Sequence, residues 1–490
     1  MSSVYDVAII GAGVTGASIA RRLSAYKLRV VLLEKECDVS FGVSKANSGI
    51  IHGGFHHGAS TLKSRLEIQG NIMFDALQRD LHFPFRRCGI LVAALSFEEM
   101  KTVEKLYMQG VQNGSIGIEL CNRERMLSLE PKLNRDVVGG LHAPSGGIVE
   151  PYRLVFSLVE SAVKNGVELK TKFKVNGVDI TGERFHISSV NGETVTSRYA
   201  VNAAGLRADE ISKLFKAEEF TISPRKGEEY LMDRNAAAFT SRVIFPVPSP
   251  NSKGMLVIPT VEGTTMVGPT AEEIEDKEDL ATTGDNFEKV FYSARRLVPS
   301  VSERDIITAF VGLRPALEGN DFYIAISTKC PKLVQAAGIQ SPGLTAAPAI
   351  GEYVKDLLKK AGLILEEKPN YDPAIDPLPR IREVDPFTAE KLIEKNPSYG
   401  NIVCRCESIS EAEIVEAIKK GHTTLDGIKF YTRAQMGRCQ GGFCTYKILK
   451  IIQRETGLSV DEITKRGAGS WEITGRVGEF QIFSRTGGKE

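Results

Sequence analysis

A chain of 490 residues, 42% of them apolar, is long enough for about three domains with ordinary globular cores, which excludes a disordered protein. Its 62 basic and 61 acidic residues leave no net field to attract nucleic acid or an acidic membrane surface. No run of about 18 apolar residues is present, the first strand pattern begins within a few residues of the start, and eight cysteines are too few for a disulfide scaffold. The expectation is a cytoplasmic protein with no signal peptide and no transmembrane segment.

Residues 6–34 read as one βαβ unit. The apolar run 7–10 leads into Gly11-Ala12-Gly13-Val14-Thr15-Gly16, a helix follows through Arg22, and a second apolar strand, 29–33, delivers Glu34. Gly11 permits the sharp turn, Gly13 lets a pyrophosphate approach bare backbone, and Gly16 lets helix and sheet pack closely. Glu34, 18 positions after Gly16, is placed to accept from ribose hydroxyls. The helix N-terminus faces the phosphates. Together these predict a dinucleotide site.

A loop rich in Gly, Ser and Asn follows, 37–58, whose small residues admit a bulky planar ligand and whose Ser and Asn side chains can hydrogen-bond it. Within it His52 is expected to line a pocket, and His56 and His57 to be solvated. Helices are expected at 63–80, in two polar stretches within 96–130, and at 152–165. Strands are expected at 89–94 and 168–172, with a hairpin-like passage at 137–148 and a meander around Asn191-Gly192. The strand 199–202 ends in Ala203-Ala204-Gly205 and should join the first sheet. From about 206 to 322, strands separated by Pro and Gly read as an inserted antiparallel domain; it carries Phe310-Val311-Gly312-Leu313-Arg314-Pro315, where Arg314 can clamp a carboxylate or phosphate or, alternatively, pair with an acid of its own domain. The run 333–338 returns to the parallel pattern, and Ser341-Pro342-Gly343-Leu344-Thr345 precedes a helix over 346–359. A proline- and charge-rich stretch, 366–385, reads as an extended linker.

Cysteines 37, 88, 121 and 330 are scattered singly. Cys404-Arg405-Cys406 and Cys439-Gln440-Gly441-Gly442-Phe443-Cys444 form two pairs, CxC and CxxxxC, with 32 residues between them. Four such thiols in a reducing compartment point to a metal site. A [2Fe-2S] cluster and zinc are both open; CxC is tighter than zinc spacing favours, and the glycines free backbone N–H groups to meet cluster sulfurs.

The N-terminal fingerprint, Asn47-Ser48-Gly49-Ile50-Ile51-His52-Gly53-Gly54, Asn202-Ala203-Ala204-Gly205 and Ser341-Pro342-Gly343-Leu344-Thr345 together resemble the D-amino-acid-oxidase-like FAD oxidoreductases over about residues 1–360. Residues 401–458 resemble the bacterioferritin-associated-ferredoxin-like 2Fe-2S domain. The pairing of these two is similar to the large subunit of anaerobic glycerol-3-phosphate dehydrogenases, as is the Leu313-Arg314-Pro315 run, whereas His52-Gly53-Gly54-Phe55 leading to Thr61-Leu62-Lys63 resembles the L-2-hydroxyglutarate oxidases and dehydrogenases.

The resemblance implies an α/β protein: a Rossmann-like FAD-binding domain (1–85, 140–205, 325–362), an inserted antiparallel β-rich substrate domain (86–139, 206–324), a linker (363–400), a small helical 2Fe-2S domain (401–460) and a tail (461–490). It implies FAD contacts at Gly11, Gly13, Thr15, Gly16, Glu34, Lys35, Ser44, Asn47, Ser48, Val175, Ala204, Gly205, Gly338, Gly343, Leu344 and Thr345, with Cys404, Cys406, Cys439 and Cys444 as cluster ligands. The implied reaction is oxidation of a small anionic hydroxy substrate: Arg314 holds the anion, a base at or near His52 takes the hydroxyl proton, and hydride passes to the flavin. Electrons then leave through the cluster to a partner protein or quinone-linked subunit, which makes a hetero-oligomer the expected assembly. An amino-acid or opine dehydrogenase, or a non-catalytic assembly protein, would share fold and cofactors.

Overall fold

Val7, Ala8, Ile9 and Ile10 are apolar at every position because the strand they form, Tyr5–Ile10, is buried on both faces. It pairs in parallel with Val30–Leu33 on one side and Thr194–Asn202 on the other, and Thr194–Asn202 pairs in parallel with Leu333–Ala337. Three strands far apart in sequence thus meet at their C-terminal ends, where Gly11, Ala203 and Gly338 leave the sheet. Alternate residues divide the core. Ala8, Ile10, Val31 and Leu33 pack with Phe173, Phe185, Ile187 and Phe215, while helices Val14–Leu23, Pro151–Lys164 and Gly343–Lys360 cover the opposite side. Gly351 allows one such approach, since a Cβ there would stand 2.8 Å from Ser18 O.

The computed structural model describes residues 4–249, 254–473 and 475 and separates into two units, Met1–Pro377 and Leu378–Glu490. Within the first unit a second sheet, nine strands among the described residues, is built around the long antiparallel pair Ile222–Met232 and Ile306–Leu317. It is not antiparallel throughout: Val243–Pro246 runs parallel to Ile90–Ala94. Passage 137–148 is not a hairpin either. Gly139–Ala143 pairs with Ile90–Ala94 and Glu119–Asn122 in the large sheet, whereas Gly147–Val149 pairs with Ile50–Ile51 and Phe85–Arg86 in a small one. The three-residue link, 144–146, turns the chain from one sheet to the other.

The expected linker is structured on both sides of the division. Residues 366–375 are hydrogen-bonded onto the first unit, through Lys27 N to Glu366 O (2.7 Å), Lys368 N to Ala25 O (2.9 Å) and Ile375 N to Asp80 O (3.0 Å). In the second unit Arg382 pairs with buried Glu407 at 3.2 Å, and Asp385 caps a helix, Pro386–Lys395. Asp-Pro opening a charged segment is a helix start as well as a linker signal, and here capping prevails.

The second unit holds a short hairpin, Ile402–Cys404 with Ile409–Ser410, and helices Glu411–Lys419, Leu425–Thr432 and Thr445–Thr456. Glu411–Lys419 opens with a capping box between Ser410 and Glu413. The first part of the expected tail is tied down, with Leu425 N and Asp426 N donating to Thr464 O and Lys465 O. Tail positions 474 and 476–490 lie outside the described residues.

Candidate active site and cluster site

The turn after the first strand has the sterics the fingerprint requires. Gly11 has φ +104°, and a Cβ there would stand 2.5 Å from Ala203 O; one on Gly16 would overlap Gly11 O. At Gly13 the added atom would meet only Ser44 Oγ, at 3.1 Å, leaving that side of the backbone open to a ligand. No side chain caps the helix at Gly13. Glu34, buried, accepts from Ala12 N (2.7 Å) and Glu36 N (3.0 Å), so it fastens the glycine turn. Burial raises its pKa against the pull of those two N–H groups. We expect Gly16→Ala to force helix and strand apart at a cost of about 1–3 kcal/mol, read as a lower Tm and a substoichiometric flavin content.

Ser44 Oγ accepts from Val14 N at 2.9 Å, joining the 37–58 loop to the fingerprint. Asn47 turns on itself, its Oδ1 accepting from Gly49 N. Thr15 is buried in the first helical turn, and Gly205 follows the strand end with φ +57°. Ala204 N is hydrogen-bonded to Asn202 Oδ1 at 3.3 Å. Gly338, with φ +67°, lies against Leu317, and Gly343, Leu344 and Thr345 form the buried first turn of Gly343–Lys360, which also lacks a side-chain cap. Lys35 is paired with Glu36 at 3.0 Å, and Val175 begins an outer strand beside the core.

His52 is buried, and its ring and backbone are both held. Thr345 Oγ1 accepts from His52 N at 2.9 Å, Asn71 donates to His52 O at 2.7 Å, and Ser341 Oγ lies 3.2 Å from His52 Nε2. The loop and the last nucleotide-domain helix therefore meet at this imidazole. His56 is not solvated as expected. Its ring packs at 4.2 Å from Phe55 and 5.0 Å from Phe245, centroid to centroid, because the chain after Gly54 turns inward.

Arg314 is half-buried on Ile306–Leu317 and donates to Thr270 O at 2.6 Å. Desolvation lowers its pKa to about 10, opposed by Glu229, so it remains a cation at neutral pH. Three further charged residues stand with it. Arg225 is its directly opposed cross-strand neighbour. Glu229, buried, accepts from Ser48 Oγ at 2.6 Å, and burial raises its pKa to about 7. Lys63, also buried, donates to both oxygens of Asn320, and desolvation lowers its pKa to about 8. The signal for Glu229 was present in Glu228-Glu229, two consecutive acids that strand alternation must send to opposite faces.

In the second unit the four cysteines form two facing pairs. Cys406 and Cys439 sulfurs are 3.5 Å apart, and Cys404 and Cys444 are hydrogen-bonded side chain to side chain in the interior. Backbone N–H groups of Gln435 and Glu407 face Cys404, and those of Gly441 and Phe443 face Cys439. Left-handed backbone at Arg433, Gln435, Gln440 and Gly441 turns the chain around them. Gly437 admits the close approach of Cys406, whose Cβ an added side chain would overlap. Beneath lies buried Glu407, paired with Arg433 at 3.1 Å. Among the described residues no three His, Cys, Asp or Glu side chains are gathered for a single ion. A two-iron cluster takes four thiolates, and two sulfur pairs ringed by N–H donors suit it.

A parallel sheet ending in a bare glycine turn, an apposed β-rich domain and a four-thiol module define a flavin-type dinucleotide oxidoreductase with an attached iron–sulfur domain. The chain belongs to the FAD dependent oxidoreductase family, which it matches over residues 6–357, and residues 402–454 match the BFD-like [2Fe-2S] binding domain. Its cofactors are FAD and a [2Fe-2S] cluster. It is 43% identical to a glycerol 3-phosphate dehydrogenase of Caloramator mitchellensis, over 96% of this chain and 98% of that protein. The FAD-bound L-alpha-glycerophosphate oxidase of Mycoplasma pneumoniae superposes with TM-score 0.73 at 31% identity, covering 77% of this chain and 99% of that one. An anaerobic glycerol-3-phosphate dehydrogenase subunit A1 of Haloferax volcanii is 26% identical over 96% of this chain and 85% of its own. The protein is thus an FAD-dependent oxidoreductase similar to the glycerol 3-phosphate dehydrogenases.

Proposed function

We propose that the protein oxidises sn-glycerol 3-phosphate to dihydroxyacetone phosphate and delivers the electrons, by way of its [2Fe-2S] domain, to a partner protein or quinone-linked acceptor. The observation that carries the substrate is the direct opposition of Arg225 and Arg314 across neighbouring strands. Like charges so placed repel. A dianion between them reverses the sign, and a phosphate offers two charges where one carboxylate offers one. Named relatives at 43% and 31% identity act on the same compound.

Bound FAD supplies the two-electron oxidant and the cluster a one-electron carrier. The chain's own residues bind and deprotonate. Arg314 and Arg225 hold the phosphate, and His52 Nε2 takes the C2 hydroxyl proton as the C2–H bond breaks. Thr345 and Asn71 keep His52 from drifting, since they hold its backbone on both sides. Among the described residues no helix is long and apolar enough to cross a membrane. A relative described as a subunit supports a hetero-oligomer, with the chain in the cytoplasm and reaching a membrane only through its partner.

The test is anaerobic flavin bleaching with glycerol 3-phosphate, L-2-hydroxyglutarate, lactate, proline and sarcosine. Glycerol 3-phosphate should bleach at the lowest concentration. Bleaching by L-2-hydroxyglutarate or an amino acid alone would replace the substrate assignment.

A further inference from the structure

The antiparallel register sorts the long strand pair by face. Arg225, Gly227 and Glu229 stand opposite Arg314, Gly312 and Phe310, so all six share one face. Lys226, Glu228 and Tyr230 take the other, where Glu228 is occupied by Asn286 (2.7 Å) and Thr283 (3.0 Å). On the first face the two glycines lie directly across from each other. Gly312 accommodates Ala46 O, which a Cβ would approach to 2.7 Å, and Gly227 accommodates the Arg314 guanidinium. This face is therefore set against the 43–48 segment, with the Arg314 cation lying above Gly227 and Glu229 two residues further along.

We propose that Glu229 is a specificity-determining residue that takes the hydroxyl at the end of the substrate remote from its phosphate, so that the site is built for a polyol phosphate. This rests on the reading of the site given under the proposed function and names the second anchor of the same substrate. Glu229 is 3% exposed; its Oε1 accepts from Ser48, while its Oε2 is buried with no hydrogen-bond partner among the described residues. A buried carboxylate oxygen left unpaired is costly unless a ligand supplies the partner. Spacing sets the ligand's size. Two residues along a strand cover about 6–7 Å, which a three-carbon chain with a phosphate at one end spans. The pKa of about 7 suits a hydroxyl, which donates to the carboxylate and accepts from the acid. A second carboxylate in that place would bring two acids together, and one of them would have to hold a proton.

The experiment compares glycerol 3-phosphate with propane-1,2-diol 1-phosphate, which keeps the phosphate and the reacting hydroxyl and lacks only the remote one. Anaerobic flavin bleaching of the holoenzyme gives kcat/KM for each. The wild type should prefer glycerol 3-phosphate by at least about tenfold. Glu229→Leu should bring the ratio close to one, and Glu229→Gln, which still hydrogen-bonds, should keep most of it. The ratio is taken within each variant, so a general loss of activity cancels. Equal use of the two compounds by the wild type, or an unchanged ratio in Glu229→Leu, overturns this inference alone. Where Glu229→Leu does not fold, the wild-type ratio and that of Ser48→Ala decide, the latter expected to fall because Glu229 loses its fixed position. If neither compound bleaches the wild-type flavin, the parent reading is overturned and this one with it.

Discussion

Replacing Arg314 by alanine is expected to lower kcat/KM for glycerol 3-phosphate by roughly 30- to 1,000-fold, about 2–4 kcal/mol, chiefly through KM. The guanidinium is half-buried, and that desolvation holds its pKa down to about 10, so part of its hydration has been given up before any ligand arrives. An anion that meets it gains more than it would from an exposed cation. Lysine at this position should recover only part of the loss, because a point charge cannot make two parallel hydrogen bonds to one phosphate. A purely structural Arg314 would behave differently. It would act only through its bond to Thr270 O, and Arg314→Ala would lower Tm while leaving KM unchanged. Steady-state kinetics beside a thermal melt separates the two.

The second large effect is expected from the thiols. Cys439→Ser and Cys444→Ser should abolish electron delivery to a one-electron acceptor while substrate still bleaches the flavin at close to the wild-type rate. All four cysteines proposed to hold the cluster lie in the unit Leu378–Glu490, and every residue proposed to meet substrate lies in Met1–Pro377. Removing one of these thiols therefore leaves Arg314, Arg225 and His52 untouched. Cys444 is the more severe test, being buried against Cys404, whereas Cys439 is partly exposed beside Cys406. Equal loss of both half-reactions would show that the iron–sulfur domain supports the fold of the flavin domain rather than carrying electrons.

How much of this could be read from the chain depended on whether a residue's role was local. The glycine turn announces itself because Gly11, Gly13 and Gly16 recur within six residues and Gly16 is demanded by Gly11 O, although Gly11 also meets Ala203 O from a strand far along the chain. The cysteine module was legible for the same reason, since its donors come from two short motifs. Glu229, Arg225 and Lys63 were not, because what makes them notable is a neighbour from another element: Ser48 lies 181 positions before Glu229, and Asn320 lies 257 after Lys63. The helix Leu425–Thr432 escaped notice at eight residues with a central glycine, and its start is fixed by the Thr424 cap rather than by periodicity. Passage 137–148 misled through its two apolar runs, which look like partners and in fact serve two sheets. The proline-rich stretch misled because composition cannot show that Glu366, Lys368 and Ile375 each have a backbone partner on the first unit.

Reduction of the flavin by glycerol 3-phosphate and passage of the electrons to the cluster should take place within one chain. This is tested most directly by adding that compound to the purified holoprotein without oxygen and following flavin absorbance together with the electron paramagnetic resonance of the iron. The flavin should bleach, and a reduced [2Fe-2S] signal should then grow in. A flavin that bleaches while the iron stays oxidised, in protein shown to hold the full cluster, would contradict this.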